Sequence, residues 1–294
     1  MKIIDVVQMR RAARFAIGMV VLIAAFAIAK AEAAYSCSVT VTALTITYDP
    51  TVATENITAG SYTVSCTRSL ADSATLNYTL AANNGLQPTG SINRVQLGAS
   101  ANRYQYELYR LSPYTNANRW QAAASERFSG TISFGAGLTG NDSKSFDLRL
   151  AGSQPVVPAG TYTDTVTVTL RNGTTVLNTS TFNVRVITSN NCQIVTSPGN
   201  INLTYTSFQA AVATASTAFR VRCTTALPYS LSLDAPGGTL LGLNYTIVLP
   251  VASGTGTGAT QTYIINGSIS AGQAGTCAIA ACSGNQTRML TVTY

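Results

Sequence analysis

Two stretches decide the reading of this chain: TVTVTL at residues 165–170 and MLTVTY at residues 289–294. In each, apolar side chains take every second position, Val166, Val168 and Leu170 in the first and Leu290, Val292 and Tyr294 in the second. A period of two puts those side chains on one face of a half-buried β-strand. The stretches also stand at matching places in an internal repeat. Cys37 and Cys66 are 29 positions apart and Cys192 and Cys223 are 31 apart. Each second cysteine is followed by Thr, in CTRSLADSATLNYTLAANNG and CTTALPYSLSLDAPGG. YQYELYR (104–110) answers LNYTIVLP (243–250), and FSGTISFGAG (128–137) has a looser counterpart in YIINGSISAG (263–272). Such self-similarity predicts two copies of one folding unit.

Short alternating runs, broken by Gly, Pro, Asn and Ser about every ten residues, predict an all-β chain of two tandem sandwiches. The polar link Ser189-Asn190-Asn191 divides them, giving residues 34–188 and 192–294, each long enough for a single core.

Residues 1–33 read as an export signal. Lys2, Arg10, Arg11 and Arg14 precede a 15-residue apolar run from Phe15 to Ala29, followed by Ala31-Glu32-Ala33, so cleavage is expected near Ala33. The run is shorter than the roughly 20 residues a spanning helix needs. Removing the signal takes five of 18 basic and two of 11 acidic residues, leaving 13 against nine and a net charge of +4. The remaining arginines are scattered singly, without the basic stripe of a nucleic-acid surface.

All six cysteines follow the signal, which points to disulfides formed in an oxidising compartment. Spacing favours Cys37–Cys66, Cys192–Cys223 and Cys277–Cys282, although the count alone allows other pairings. The chain has no His and no CxxC pair, so no metal site and no cofactor are expected. The lack of His also removes Ser–His and Cys–His pairs, and the acids form no obvious carboxylate pair, so an enzyme is not expected. Asp142-Ser143-Lys144-Ser145 reads as a solvated turn rather than a Ser–Lys dyad, and Gly254-Thr-Gly-Thr-Gly258 suits a hairpin rather than a phosphate loop.

The two copies differ after the repeated strand. The first continues through Arg171-Asn172-Gly173, an Asn-Gly hairpin signal, into a strand where Phe182, Val184 and Val186 alternate with Asn183, Arg185 and Ile187. The second has no such strand after Tyr294, so it is expected to be one strand short. A sandwich lacking a strand exposes an apolar groove and an unpaired backbone edge, a hazard unless filled. Donation of a strand by another chain fills both, with main-chain hydrogen bonds and alternate side chains. The alternatives are that the second copy closes by rearranging its own strands, or that the last strand is an ordinary edge.

Cys37…Cys66-Thr, LNYTL, YQYELYR…Trp120 and above all PVVPAGTYTDTVTVTL (155–170) resemble the spore coat protein U domain family. The second half, with PYSLSLDAPGG (228–238), QTYIINGSISAGQAGTC (261–277) and RMLTVTY (288–294), is similar to the C-terminal domain of the two-domain tip adhesins of archaic chaperone–usher pili. The resemblance implies immunoglobulin-like, pilin-type sandwiches, the second a donor-strand acceptor. It also implies a periplasmic chaperone, an outer-membrane usher, a next pilus subunit that donates a strand, and a place at the pilus tip on the cell surface. An adhesin there attaches cells to surfaces and promotes biofilm formation. Leu290, Val292 and Tyr294 would face the groove, and the Tyr294 carboxylate would meet the chaperone. Cys37 follows the expected new N-terminus by three residues, leaving almost nothing to donate onward, as a tip subunit requires. The alternative role is a structural spore-coat or extracellular-matrix protein.

The candidate surface-binding loop is RLSPYTNANRW (110–120), with Leu111, Pro113, Tyr114 and the only Trp, Trp120; each is either a contact or part of the core. Pro155-Val156-Val157-Pro158 is read as lying toward the junction of the copies and Arg171-Asn172-Gly173 as distal. The surface or receptor recognised is not specified by the sequence.

Overall fold

The computed structural model describes residues 35–278 and 282–294; the expected signal segment lies outside the described residues. The first half contains β1 (Ser36–Val41), β2 (Leu44–Thr47), β3 (Asn56–Thr67), β4 (Thr75–Ala82), β5 (Asn93–Gln96), β6 (Arg103–Tyr109), β7 (Phe128–Ser133), β8 (Thr139–Leu150), β9 (Gly160–Asn172) and β10 (Thr175–Thr188). The second contains β11 (Cys192–Thr196), β12 (Ala213–Cys223), β13 (Pro228–Leu233), β14 (Gly237–Leu240), β15 (Leu243–Val248), β16 (Ser253–Thr255), β17 (Thr260–Ile269) and β18 (Leu290–Thr293). Among the described residues the chain is all-β, with two single-turn 3₁₀ segments, Asn116–Asn118 and Ala124–Glu126.

Strands of the first half run β1-β3-β8-β6-β5-β9-β10-β2 in one curled sheet, and β4 pairs with both β7 and β9. Strands of the second half form β11-β12-β17-β15-β14 and β16-β13-β18. No ladder joins the halves among the described residues. The repeat holds strand for strand: β11, β12, β17, β15 and β14 take the places of β1, β3, β8, β6 and β5, and β16, β13 and β18 those of β7, β4 and β9. This corrects one pairing expected from sequence. FSGTISFGAG contains β7, the partner of β4, whereas YIINGSISAG lies on β17, which occupies the place of β8 between β12 and β15. Both stretches alternate, and alternation alone does not tell an edge strand from a central one.

The first core is built on the alternation of long strands. Tyr162, Val166, Val168 and Leu170 of β9 and Phe182, Val184 and Val186 of β10 are all buried. Each such side chain contributes roughly 1.5–3 kcal/mol on leaving water. β9 and β10 meet in the expected hairpin, where Gly173 has φ +58, a conformation that favours glycine in the turn.

Disulfides join Cys37 to Cys66 and Cys192 to Cys223, and the bonded residues stand opposite each other in the β1–β3 and β11–β12 ladders. A third joins Cys277 to Cys282. The first two staple the opening strand of each half to its neighbour.

The halves touch through polar contacts. Asn191 Nδ2 donates to Asp49 Oδ2 at 3.0 Å, and Thr225 Oγ1 donates to the carbonyl of buried Val156 at 2.7 Å. A Cβ at Gly258 would lie 2.1 Å from that same carbonyl, so this position admits glycine only. Val156, in the PVVP loop, therefore sits at the junction.

Candidate functional site

β18 pairs with β13 from Ser230↔Thr293 to Leu233↔Leu290, and among the described residues no ladder is formed on its other edge. Leu290 and Val292 are half-buried and pack against the second core, while Tyr294 is 57% exposed. In the first half the equivalent strand, β9, is covered by β10, which is in turn paired in parallel with β2. The sequence of that last strand, Leu44-Thr-Ile-Thr-Tyr48, reappears as Ile201-Asn-Leu-Thr-Tyr205. Leu44, Ile46 and Tyr48 are buried; Ile201, Leu203 and Tyr205 alternate half-buried with exposed neighbours but join no ladder among the described residues. By sequence residues 201–205 answer β2, and among the described residues no strand of the second half takes the place of β10. Period-two alternation in NINLTYT was the signal for this correspondence, and it becomes legible only beside ALTITYD.

The opening of β18 is anchored by side chains. Arg288 Nη2 donates to Gly237 O at 2.5 Å and to the Tyr245 hydroxyl at 2.6 Å, and Nε donates to that hydroxyl at 3.1 Å. The Met289 N–H donates to Asp234 Oδ1 at 3.1 Å. Strand register shifts the repeat by two from the sequence alignment: Leu80↔Leu170 in the first half answers Leu231↔Val292 in the second, so Arg288 falls at the place of Val166. Asp164, two residues earlier on β9 and 3% exposed, accepts from Tyr106 Oη at 2.6 Å and from the N–H groups of Leu86 and Thr165 at 2.8 Å. Burial pushes the Asp164 carboxyl above the usual carboxylate range, against the opposing effect of those hydrogen bonds.

The loop expected to bind surfaces divides. Trp120 is removed from the candidate contacts: it is fully buried, its Nε1–H donates to Leu80 O at 2.9 Å, and its ring stacks on Phe182 and meets Phe128 and Phe146 edge-on. The cause is local. Trp120 N–H donates to Leu108 O, which draws the end of the loop back alongside β6 and turns the indole into the core. Tyr114 lies against the Tyr109 ring and its hydroxyl donates to Asp147 Oδ2 at 3.1 Å, leaving it half-buried. Leu111 and Pro113 are exposed. Arg110 ties the loop down by donating to the carbonyls of Ala117, Arg119, Ser125 and Arg127.

Other exposed apolar residues lie at the end of the first sandwich far from the junction. Thr67 pairs with Ser36 and Thr139, Thr75 with Ser133, and Thr79 with Arg171, so the turns following β3, β7 and β9 share one end. Those turns or their flanks carry Leu70 at 83%, Leu138 at 44% and Val176 at 48% exposure. Isolated aliphatic residues in polar turns give no periodic signal, so the sequence reading passed over them.

Asp142-Ser143-Lys144-Ser145 belongs to β8, not to a turn: Ser143 pairs with Thr63, Asp142 accepts from Tyr78 Oη at 2.7 Å, and Lys144 Nζ donates to Ser129 O. Lys144 thereby covers a backbone acceptor of edge strand β7. Among the described residues no group of three or more His, Cys, Asp or Glu is placed to hold a metal, and no helix is long and apolar enough to cross a membrane.

Strand order and open edge thus define a disulfide-stapled protein of two sandwiches. The profile of the Spore Coat Protein U domain matches residues 22–169 and 178–244, and the chain belongs to that family. No curated protein gives a significant match. Among solved structures it is similar to one of the CsuC–CsuE chaperone–tip adhesion subunit pre-assembly complex from archaic chaperone-usher Csu pili of Acinetobacter baumannii, at 14% identity and TM-score 0.44, covering 87% of this chain and 99% of that one. It is also similar to the CupB6 tip adhesin from Pseudomonas aeruginosa, at 9% identity and TM-score 0.36, covering 81% of this chain and 89% of that one. The CfaE adhesive subunit of the CFA/I fimbria of enterotoxigenic Escherichia coli gives 10% identity and TM-score 0.30, with 85% and 95% covered.

Proposed function

We propose that this protein is the adhesive tip subunit of a chaperone–usher pilus, held in the fibre by a strand that another subunit inserts beside β18. The observation that carries the reading is the outer edge of β18, which no strand covers among the described residues although the equivalent strand β9 is paired with β10. A strand entering there would cover Leu290, Val292 and Tyr294 and satisfy the outer edge of β18, which supplies both burial and main-chain hydrogen bonds. During export a periplasmic chaperone would hold the same place until an outer-membrane usher exchanged it for the next subunit.

Residues at the start of the first sandwich belong to its own fold. Tyr35 stacks on Phe134 at 5.8 Å and β1 begins at Ser36, so residues from Tyr35 onward are already used by this chain's own fold. The first sandwich would then face outward, with Leu70, Leu138 and Val176 at its far end meeting an apolar surface and Leu111 and Pro113 on its flank. Removing such side chains from water contributes about 25 cal/mol per Å2 of apolar area. Attachment of this kind would support biofilm formation.

The test is coexpression with a periplasmic pilus chaperone from the same genome. A one-to-one complex is expected, lost on deleting residues 288–294, and the mature chain alone is expected to aggregate. A stable monomer that ignores the chaperone would remove the reading and favour a coat or matrix role.

A further inference from the structure

The far end of the second sandwich is built like the end of the first that meets its neighbour. In the first half Gln154 Nε2 donates to Gln105 O at 2.8 Å and to Ala151 O at 3.2 Å, and its Oε1 accepts from the Gln105 N–H at 2.7 Å. The Gln154 N–H donates to the Tyr48 hydroxyl at 3.4 Å. In the second half Gln273 repeats each bond. Its Nε2 donates to Asn244 O at 2.9 Å and to Ser270 O at 3.3 Å, its Oε1 accepts from the Asn244 N–H at 2.7 Å, and its N–H donates to the Tyr205 hydroxyl at 2.7 Å. Tyr48 and Tyr205 close the matching stretches LTITY and INLTY, so the two ends correspond.

The two ends differ in what meets them. β10 reaches the Gln154 end at Thr188, and residues 189–191 lead straight into the second sandwich. There Asn191 Nδ2 donates to Asp49 Oδ2 at 3.0 Å and to Thr51 Oγ1 at 3.2 Å, on the turn that follows Tyr48. Counting on from Tyr205, Thr206 and Phe208 hold the places of Asp49 and Thr51. Phe208 is 71% exposed, and Val212 and Leu241 at the same end are exposed as well. The backbone that carries them is fixed: the Phe208 N–H donates to Gln273 O at 2.8 Å, Ser207 Oγ to Ala274 O at 2.6 Å, and the Thr276 N–H to Leu241 O at 2.8 Å. A loop already ordered loses little freedom on binding.

We propose that this end is a docking face for the body of the subunit whose strand completes the second sandwich, with Phe208 making an apolar contact where Thr51 makes a polar one at the internal junction. This rests on the strand-acceptor reading of the proposed function. Strand direction names the occupant. β9 runs away from the Gln154 end and β10 runs back to it, delivering the next sandwich there. A strand antiparallel to β18 would run toward the Gln273 end, so the body attached after it would emerge against Phe208. The strand supplies main-chain hydrogen bonds, and the face adds an aromatic anchor that fixes how the two bodies sit.

Two probes separate body from strand: a whole pilin subunit from the same genome, its own groove filled by a fused strand, and a synthetic peptide of its N-terminal extension. Each is titrated into the mature full-length chain and into Phe208→Ser. The whole subunit is expected to bind the parent about tenfold more tightly than the variant, while the peptide binds both alike. Phe208 has φ +57, so Phe208→Gly relaxes the backbone while removing the ring, and it should lose the same affinity. Hydroxyl-radical footprinting should show Phe208 protected by the subunit and not by the peptide. Equal binding of the subunit to parent and variants would overturn the docking face while leaving strand acceptance intact. Equal weakening of subunit and peptide would overturn it as well, because Phe208 would then act on the strand. Self-association of the parent in sedimentation, lost in Phe208→Ser, would assign this end to a second copy instead. Binding of neither probe would overturn both the docking face and the acceptor reading.

Discussion

The first sandwich seats β10 between β9 and β2, and Val166, Val168, Leu170, Phe182, Val184, Val186, Leu44 and Ile46 on the inner face of those strands are buried. In the second, the equivalent wall residues Leu290, Val292, Ile201, Leu203 and Tyr205 are half-buried although the other strands keep their places. Among the described residues the second sandwich thus has no ladder strand answering β10 or β2. The difference shows what the strand does: it supplies the inner row Phe182, Val184 and Val186 and pairs two edges at once. It is not needed to set the order of the remaining strands.

The largest expected effect comes from removing the difference. Fusing a copy of residues 171–188 after Tyr294 gives the second sandwich its own β10. Burial of Phe, Val and Val side chains should contribute several kcal/mol, raising the melting temperature of that half by roughly 20 °C in calorimetry. An unchanged transition would break the comparison. Next in size are substitutions in the complete core: Trp120→Ala and Phe182→Ala should each cost about 3–5 kcal/mol in chemical denaturation. Val292→Ala, at a half-buried site, should cost only about 1 kcal/mol in the chain alone. That cost should grow once a strand is bound.

How much of this was legible in the sequence depended on what carried the information. Alternation in TVTVTL, the Asn172-Gly173 turn and the cysteine spacing act over a few residues, and the hairpin and cross-strand disulfides follow from them. Trp120 was ambiguous because its place depends on a main-chain bond to Leu108 and a cavity among Tyr62, Phe128, Phe146 and Phe182, none of which is adjacent in sequence. Leu70, Leu138 and Val176 went unnoticed because their shared end is a property of strand register. The aligned strands TVTVTL and MLTVTY concealed a shift of two residues, which only their pairing with Leu80 and Leu231 reveals.

Asp164 gives a smaller effect of defined sign. Its folded carboxyl lies above its ordinary value, so its contribution to stability is fully present below the unfolded value and is lost as pH rises through the folded one. Asp164→Asn should remove that slope, seen as a flatter dependence of melting temperature between about pH 3 and 7. The smallest effect on stability is expected at the exposed end. Leu70→Ser, Leu138→Ser and Val176→Ser should each shift unfolding by no more than about 0.5 kcal/mol. Together they should lower retention on an apolar surface, and retention equal to the parent would move the adhesive face elsewhere, to Leu111 and Pro113.

The most direct test of an incomplete second sandwich is amide hydrogen exchange at Leu290–Thr293 in the mature chain, alone and bound to its chaperone. The account predicts that the outward-facing amides of β18 exchange rapidly in the chain alone, while those of β9 are protected, and that bound β18 becomes as slow as β9. Slow exchange at β18 in the unbound chain, unchanged by the partner, would contradict it.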